Sequence, residues 1–170
     1  MSWSRRSSLA ALLGAVAILT ACSFQPLYGP DGAGTALNRK VAIADPRTTR
    51  DYIMARELER AFGAAPDPAF RLDYTLTVGS EDAAITSGQD IDRVNLIGAL
   101  TYSLRALPGD TVVISGGADG LTSYPSADDP IAVNAAREDA ELRLARILAG
   151  RTARFVLSDP TVAAAAGASP

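Results

Sequence analysis

The chain has no histidine and a single cysteine among its 170 residues. Without histidine it lacks the commonest general base and a common metal ligand. One cysteine forms no internal disulfide, and in an exported protein a solitary thiol asks for a special explanation. No Gly-rich loop leads into Lys-Ser or Lys-Thr, so there is no phosphate cradle of the P-loop type. No G-x-S-x-G elbow is present either, and no histidine is available to complete a common hydrolase triad. The closest paired carboxylates, Asp90 with Asp92 and Asp128 with Asp129, lack the spacing of an EF-hand loop. They stand at element ends, where acids serve turns and helix caps. Glu138, Asp139 and Glu141, beside Arg137 and Arg143, read as a solvated, salt-bridged helix face. The reading is a protein that is not an enzyme, with no metal site and no catalytic residues.

An excess of positive charge is also missing. The chain carries 16 basic and 19 acidic residues. Basic patches mark nucleic-acid binders, so no nucleic-acid partner is expected. Beyond the N-terminus no apolar run approaches the roughly 20 residues that span a bilayer.

What is present begins with an export signal over residues 1–21. Arg5 and Arg6 form a short positive region, and Leu9 to Leu19 is an uncharged apolar stretch of signal-peptide length. Leu19-Thr20-Ala21-Cys22 resembles the lipobox of bacterial lipoprotein precursors. Small residues before the cut let extended backbone enter a protease cleft, and the Cys22 thiol supplies the nucleophile for diacylglyceryl attachment. Cleavage then frees an amine on Cys22 for N-acylation. Each buried methylene contributes about 0.8 kcal/mol, so two or three long acyl chains such as palmitate hold a domain firmly. Export by the general secretory route and by the twin-arginine route both stay open. Loss of Arg5 and Arg6 leaves 14 basic against 19 acidic residues, a net charge of −5. The remaining 149 residues suffice for one modest core.

After Cys22, residues 22–39 read as the lipidated N-terminus and a Gly-rich tether. The globular domain is expected over 40–157. Lys40 to Ala44 is a short strand, and Thr48 or Thr49 caps a helix that Gly63 ends. Phe70 to Val78 alternates apolar and polar residues with period two, and the strand either ends there or runs on past Ile85 to a turn near Ser87-Gly88; Arg93 to Leu107 alternates likewise, with Ile97 out of phase. Pro108-Gly109-Asp110 turns the chain into a strand from Thr111 to Ser115. Gly116, Gly117 and Gly120 predict a bulge or kink before Leu121 to Tyr124. Asp128, Asp129 and Pro130 open a helix to about Arg154, with Ala136, Ala140, Leu144 and Ile147 as its apolar stripe and Leu148 widening it. Residues 158–170 read as a disordered tail. The order β-α-β-β-β-α predicts an α/β (α+β) two-layer sandwich, its two helices on one face of a mostly antiparallel four-stranded sheet. The other face, rich in Thr, Ser and Arg, reads either as solvated or as a wet protein contact.

Behind the lipobox stands Cys22-Ser23-Phe24-Gln25-Pro26-Leu27-Tyr28-Gly29. This segment resembles the start of mature LptE-family proteins, the lipopolysaccharide-assembly lipoproteins, as they look in alphaproteobacteria. The pattern there is Cys, a small residue, Phe, a polar or basic residue, then Pro-Leu-Tyr-Gly. The order of elements and the Ser123-Tyr124 region before an Ala- and acid-rich helix are also similar to that family. The resemblance implies an outer-membrane lipoprotein on the periplasmic face that plugs the lumen of the LptD β-barrel and supports lipopolysaccharide insertion. On that reading the barrel, lipopolysaccharide and the membrane are its partners. Phe24, Pro26, Leu27 and Tyr28 are candidate contacts with partner or membrane. Arg71, Arg93 and Arg105 are candidate donors to lipid phosphates. The competing reading is a lipid-anchored periplasmic binding module for a small ligand or peptidoglycan.

Overall fold

In a computed structural model of the chain, the structure describes residues 28–29, 32–85, 91–126 and 129–167. The lipobox, Cys22, Phe24, Pro26, Leu27, Asp90 and Asp128 lie outside them. The elements run α1 (Ala33–Leu37), β1 (Val41–Ile43), α2 (Thr49–Phe62), β2 (Phe70–Ile85), β3 (Ile91–Ala106), β4 (Thr111–Pro125), α3 (Pro130–Ser158) and α4 (Pro160–Ala165). One mixed sheet has the order β1-β2-β3-β4. β1 pairs with β2 in parallel, and the two long neighbours of β3 pair with it antiparallel. With α2 and α3 on one face, this is the expected α+β two-layer sandwich.

Local chemistry sets the boundaries. The Thr48 hydroxyl accepts from Asp51 N at 3.1 Å and starts α2, while Gly63, at φ 80°, ends it. Such a cap contributes about 1 kcal/mol. Asp129 accepts from Ile131 N at 2.9 Å, and Pro130, whose nitrogen carries no proton, sits in the first turn of α3. Alternation in β2 and β3 sends Phe70, Leu72, Leu96, Leu100, Tyr102 and Leu104 into the core. Ile97, the residue out of phase, is one of the exposed large apolar side chains.

Several expectations are corrected. β4 runs unbroken through Gly116, Gly117 and Gly120, and the register shift with β3 falls at Leu104/Arg105 instead. The glycine at 120 makes room for a helix: a Cβ there would stand 3.2 Å from Ile147 Cγ2 and Leu144 Cδ1. Of the two ends left open for β2, the longer one holds, since the strand runs to Ile85, while α3 continues past Arg154 to Ser158. The stripe of α3 centres on Ala140, Leu144, Leu148, Thr152 and Val156, leaving Ile147 36% exposed at its margin. Within the stretch read as tether, Ala33–Leu37 form a helix whose Ala33 and Leu37 are buried. Within the stretch read as tail, Asp159 accepts from Thr161 N at 2.8 Å and caps α4, which buries Val162 completely. Both short helices are made of small residues that pack close to α3, a signal that Gly/Ala-rich composition does not separate from disorder.

The helices are joined by charge as well as by apolar side chains. Glu57, 4% exposed, meets Arg60 on its own helix and lies 3.8 Å from both Arg146 of α3 and Arg56. Its Oε1 accepts no hydrogen bond. Arg50 of α2 reaches Glu141 of α3 at 3.1 Å.

Candidate functional site

The helices cover one face of the sheet and leave the other open. Strand alternation places odd-numbered residues of β2 and β3 on the open side. The registers then lay out cross-strand rows. Arg71 opposes Arg105, Asp73 opposes Ser103 and Ser115, and Thr75 opposes Thr101 and Gly117. Further along come Thr77, Ala99 and Asp119, then Gly79, Ile97 and Leu121, then Glu81, Asn95 and Ser123. From Thr75 to Asp119 no side chain exceeds threonine or aspartate in size, so the middle of the face is flat. Gly79 adds to the flatness, since a Cβ there would meet nothing within 4 Å. Ile97, 37% exposed, and its partner Leu121, 57% exposed, stand beside it as a small apolar island.

At one end the face carries a closed set of charges. Arg71 and Arg105 oppose each other across the strands, a destabilising pair if left alone. Arg71 Nε donates to Asp73 at 3.1 Å, and Arg71 Nη2 donates to Asp110 at 3.1 Å. Arg105 Nη1 donates to the Asp110 carbonyl at 3.1 Å. Arg105 Nε lies 3.0 Å from Asp73 Oδ2 but makes no hydrogen bond, because its N–H is not aimed at that oxygen. The hydrogen bond and charge of Asp73, then Asp110, raise the Arg71 pKa above its ordinary value, so the guanidinium stays charged. Two positive and two negative groups cancel. Asp110 holds its place at φ 54°, in the turn with Gly109 at φ 115°.

The three arginines singled out from the sequence therefore do not converge. Arg93 donates to Ser123 Oγ at 3.1 Å near the other end of the sheet. Twelve residues of strand separate it from Arg105, about 40 Å at 3.3 Å per residue. Arg71 and Arg105 are paired with protein carboxylates. Of the proposed contact residues near Cys22, Tyr28 is described, and it is 70% exposed. Sequence reasoning missed Ile97 and Leu121 as a pair; the phase error at Ile97 was the available signal.

A polar cavity of about 480 Å³ opens where β1 stops beside β2, with Asp45, Arg47, Asp51 and Tyr74 in its wall. The Tyr74 hydroxyl donates to the Asp51 carbonyl at 2.9 Å. Burial, with Asp51 and Glu59 adding, pushes the Tyr74 phenol up to about 12. Among the described residues no group of three or more His, Cys, Asp or Glu is placed to hold a metal ion. No helix among them is long and apolar enough to cross a membrane.

Solved structures share this architecture. A Caulobacter crescentus CB15 protein described as a lipoprotein superposes with a TM-score of 0.62 at 19% identity, covering 81% of this chain and 97% of its own. Rare lipoprotein B from Shewanella oneidensis gives 0.51 at 14% identity, covering 70% and 92%. Lipoprotein B from Nitrosomonas europaea gives 0.52 at 14% identity, covering 69% and 81%. The chain has the fold of these proteins. No family model matches the sequence, and no curated protein matches it.

Proposed function

We propose that this chain is an outer-membrane lipoprotein, anchored through acyl chains on Cys22, that plugs an LptD-like β-barrel and supports insertion of lipopolysaccharide. The observation that carries the reading is the segment Cys22 to Gly29, placed directly behind a lipobox and followed by a domain of this fold. A fold shared with several proteins described as lipoproteins supports it. So does the open sheet face, whose small polar side chains suit the polar lumen of a large barrel. The function is mechanical and needs no reacting group. A rigid sandwich fills the lumen, limits leakage and gives the barrel strands a surface to fold against.

The test is a mild-detergent pull-down through a C-terminal tag, combined with depletion. Recovery of a large barrel protein, with lowered surface lipopolysaccharide on depletion, is the expected result. A lone monomer with unchanged surface lipopolysaccharide would overturn it. Fatty-acid labelling that is lost in Cys22→Ala tests the anchor separately. The cavity of about 480 Å³ beside β1 favours a second reading, an anchored binding module for a small ligand or peptidoglycan. That reading predicts the lone monomer.

A further inference from the structure

β2 is paired along its length on one side and only at its start on the other. β3 accompanies it from Phe70 to Ile85, whereas β1 meets only Phe70, Arg71 and Leu72. Hydrogen bonds fix which residues look outward. Phe70 N donates to the Lys40 carbonyl at 3.0 Å, and Ala44 N donates to the Leu72 carbonyl at 3.0 Å. Even-numbered residues of β2 therefore turn their main-chain groups toward the β1 side, and by alternation Tyr74, Leu76, Val78 and Ser80 continue the row. Among the described residues no strand takes up that row, because the sheet ends at β1 and β1 ends at Ile43.

The bare stretch has none of the usual protection. Edge strands are commonly guarded by charge, proline or a bulge. Residues 74–80 read Tyr-Thr-Leu-Thr-Val-Gly-Ser, without charge or proline, and the irregularity in register comes only after Asp82. They span about 20 Å at about 3.3 Å per residue. The opposite edge of the sheet is guarded. There α3 reaches over β4: Arg143 Nη2 donates to the Ser123 carbonyl at 3.1 Å, and Arg151 donates to the Asp119 carbonyl.

We propose that the β2 edge at residues 74–80 receives an extended segment of a different polypeptide as an added strand, in line with β1. Only extended backbone matches a row of alternating N–H and C=O groups. The flanking side chains specify the segment. On the helix side Leu76 and Val78 border an apolar crevice with Ile53 and Met54, so alternate residues of the guest are apolar. On the open side Thr75 and Thr77 favour small polar neighbours. Acids prevail at both ends: Asp45 and Asp51 against Arg47 in the wall of the cavity where β1 stops, and exposed Glu81 and Asp82 beyond Ser80. Basic residues at the ends of the guest complement them. A second copy fits less well. Laid antiparallel about Thr77, it would set Glu81 of each copy opposite Asp73 of the other, and like charges so placed are destabilising. The edge depends neither on the anchor nor on the barrel proposed above.

Amide exchange, read residue by residue on the full chain in detergent, tests the proposal. Thr75 and Thr77 turn their amides to β3 and are expected to exchange slowly, whereas Leu76 and Val78 exchange fast. The probe is a short peptide of alternating valine and threonine with lysine at each end. It is expected to slow Leu76 and Val78 about tenfold when present at about ten times its dissociation constant. The same peptide with proline at each valine cannot extend the ladder and is expected to leave both rates unchanged. Val78→Pro removes an outward N–H, spares the bonds to β3 and abolishes the effect of the valine peptide. Should that variant unfold, the proline peptide carries the control. Slow exchange at Leu76 and Val78 in the protein alone means an edge already covered, by this chain or a second copy, and overturns the proposal. Unchanged rates at the solubility limit of the valine peptide, or equal slowing by the proline peptide, overturn it as well.

Discussion

Gly98 of β3 lies directly beneath Leu144 of α3: a Cβ at Gly98 would stand 3.0 Å from Leu144 Cδ2. Leu148 Cδ1 is equally close, and Gly120 of β4 meets the same two leucines. The two glycines form the floor on which α3 rests. Overpacking such a site costs about 1–3 kcal/mol. Gly98→Val is expected to lower the chemical-denaturation midpoint accordingly. Gly79→Thr, on the open face with no atom within 4 Å, is expected to stay within about 0.5 kcal/mol of the parent.

The same glycines show where sequence reading stops. Alternation made the first half of β2 and most of β3 legible, because one face is buried and the other is wet. It left the end of β2 open beyond Val78, where Gly79-Ser80-Glu81-Asp82 is exposed and carries no burial signature. In β4 the glycines read as breakers, since the reason for Gly120 is a helix that arrives some 25 residues later and the reason for Gly116 is the Tyr102 ring on the neighbouring strand. Alanine hid the true stripe of α3 in a similar way: Ala145, Ala149 and Ala153 are buried while the larger Ile147 lies at the margin. The open face itself was legible as polar. Its charge pairing was not, because Arg71 meets Asp110 only once the strand register is known.

Gly150 offers a gain where Gly98 offers a loss. It lies inside α3 and is exposed, and a Cβ there would meet nothing within 4 Å. Glycine in a helix interior is about 1 kcal/mol less favourable than alanine. Gly150→Ala is expected to raise stability by about that amount in equilibrium unfolding. No change, or a loss, would mean that the outer surface of α3 at this point is not free.

Glu57 and its arginines predict an asymmetry. The carboxylate is 4% exposed, whereas the side chains of Arg56, Arg60 and Arg146 are 49%, 59% and 56% exposed. Removing the acid leaves cations that water can solvate, so Glu57→Met is expected to stay within about 1 kcal/mol of the parent. Replacing both Arg60 and Arg146 by alanine leaves a buried charge poorly paired and is expected to cost about 3 kcal/mol. Urea titrations of the two variants give the comparison directly, and equal losses would refute the asymmetry.

Tyr74 sets an alkaline limit. Its phenol titrates at 10.0 when unperturbed and at about 12 in the fold, so the unfolded chain releases the proton first. A pKa raised on folding gives stability that is fully present below pH 10 and lost as the pH climbs toward 12. Burial, with Asp159 adding, shifts Tyr102 in the same direction. Tyr74→Phe is therefore expected to flatten only part of the fall in melting temperature across that window. At neutral pH it costs about 1 kcal/mol for the hydrogen bond to Asp51. An unchanged alkaline slope in the variant would assign the fall to other groups.

On the proposed plug reading, the apolar island tests which side of the sandwich meets the barrel. Ile97 and Leu121 face each other across β3 and β4, exposed, in the midst of threonine, glycine and aspartate. Neither side chain supports the core, so Leu121→Arg is expected to leave the melting temperature within the error of a surface change. If the open face seats against the barrel, the same substitution withdraws apolar burial worth about 1.5 kcal/mol and puts a charge in its place. Roughly tenfold weaker co-purification follows. If the helical side were the seat, Leu121→Arg would co-purify as well as the parent, while a change on the outer surface of α3, such as Arg154→Glu, would abolish recovery. Carrying both variants through one pull-down compares the two faces of the sandwich directly.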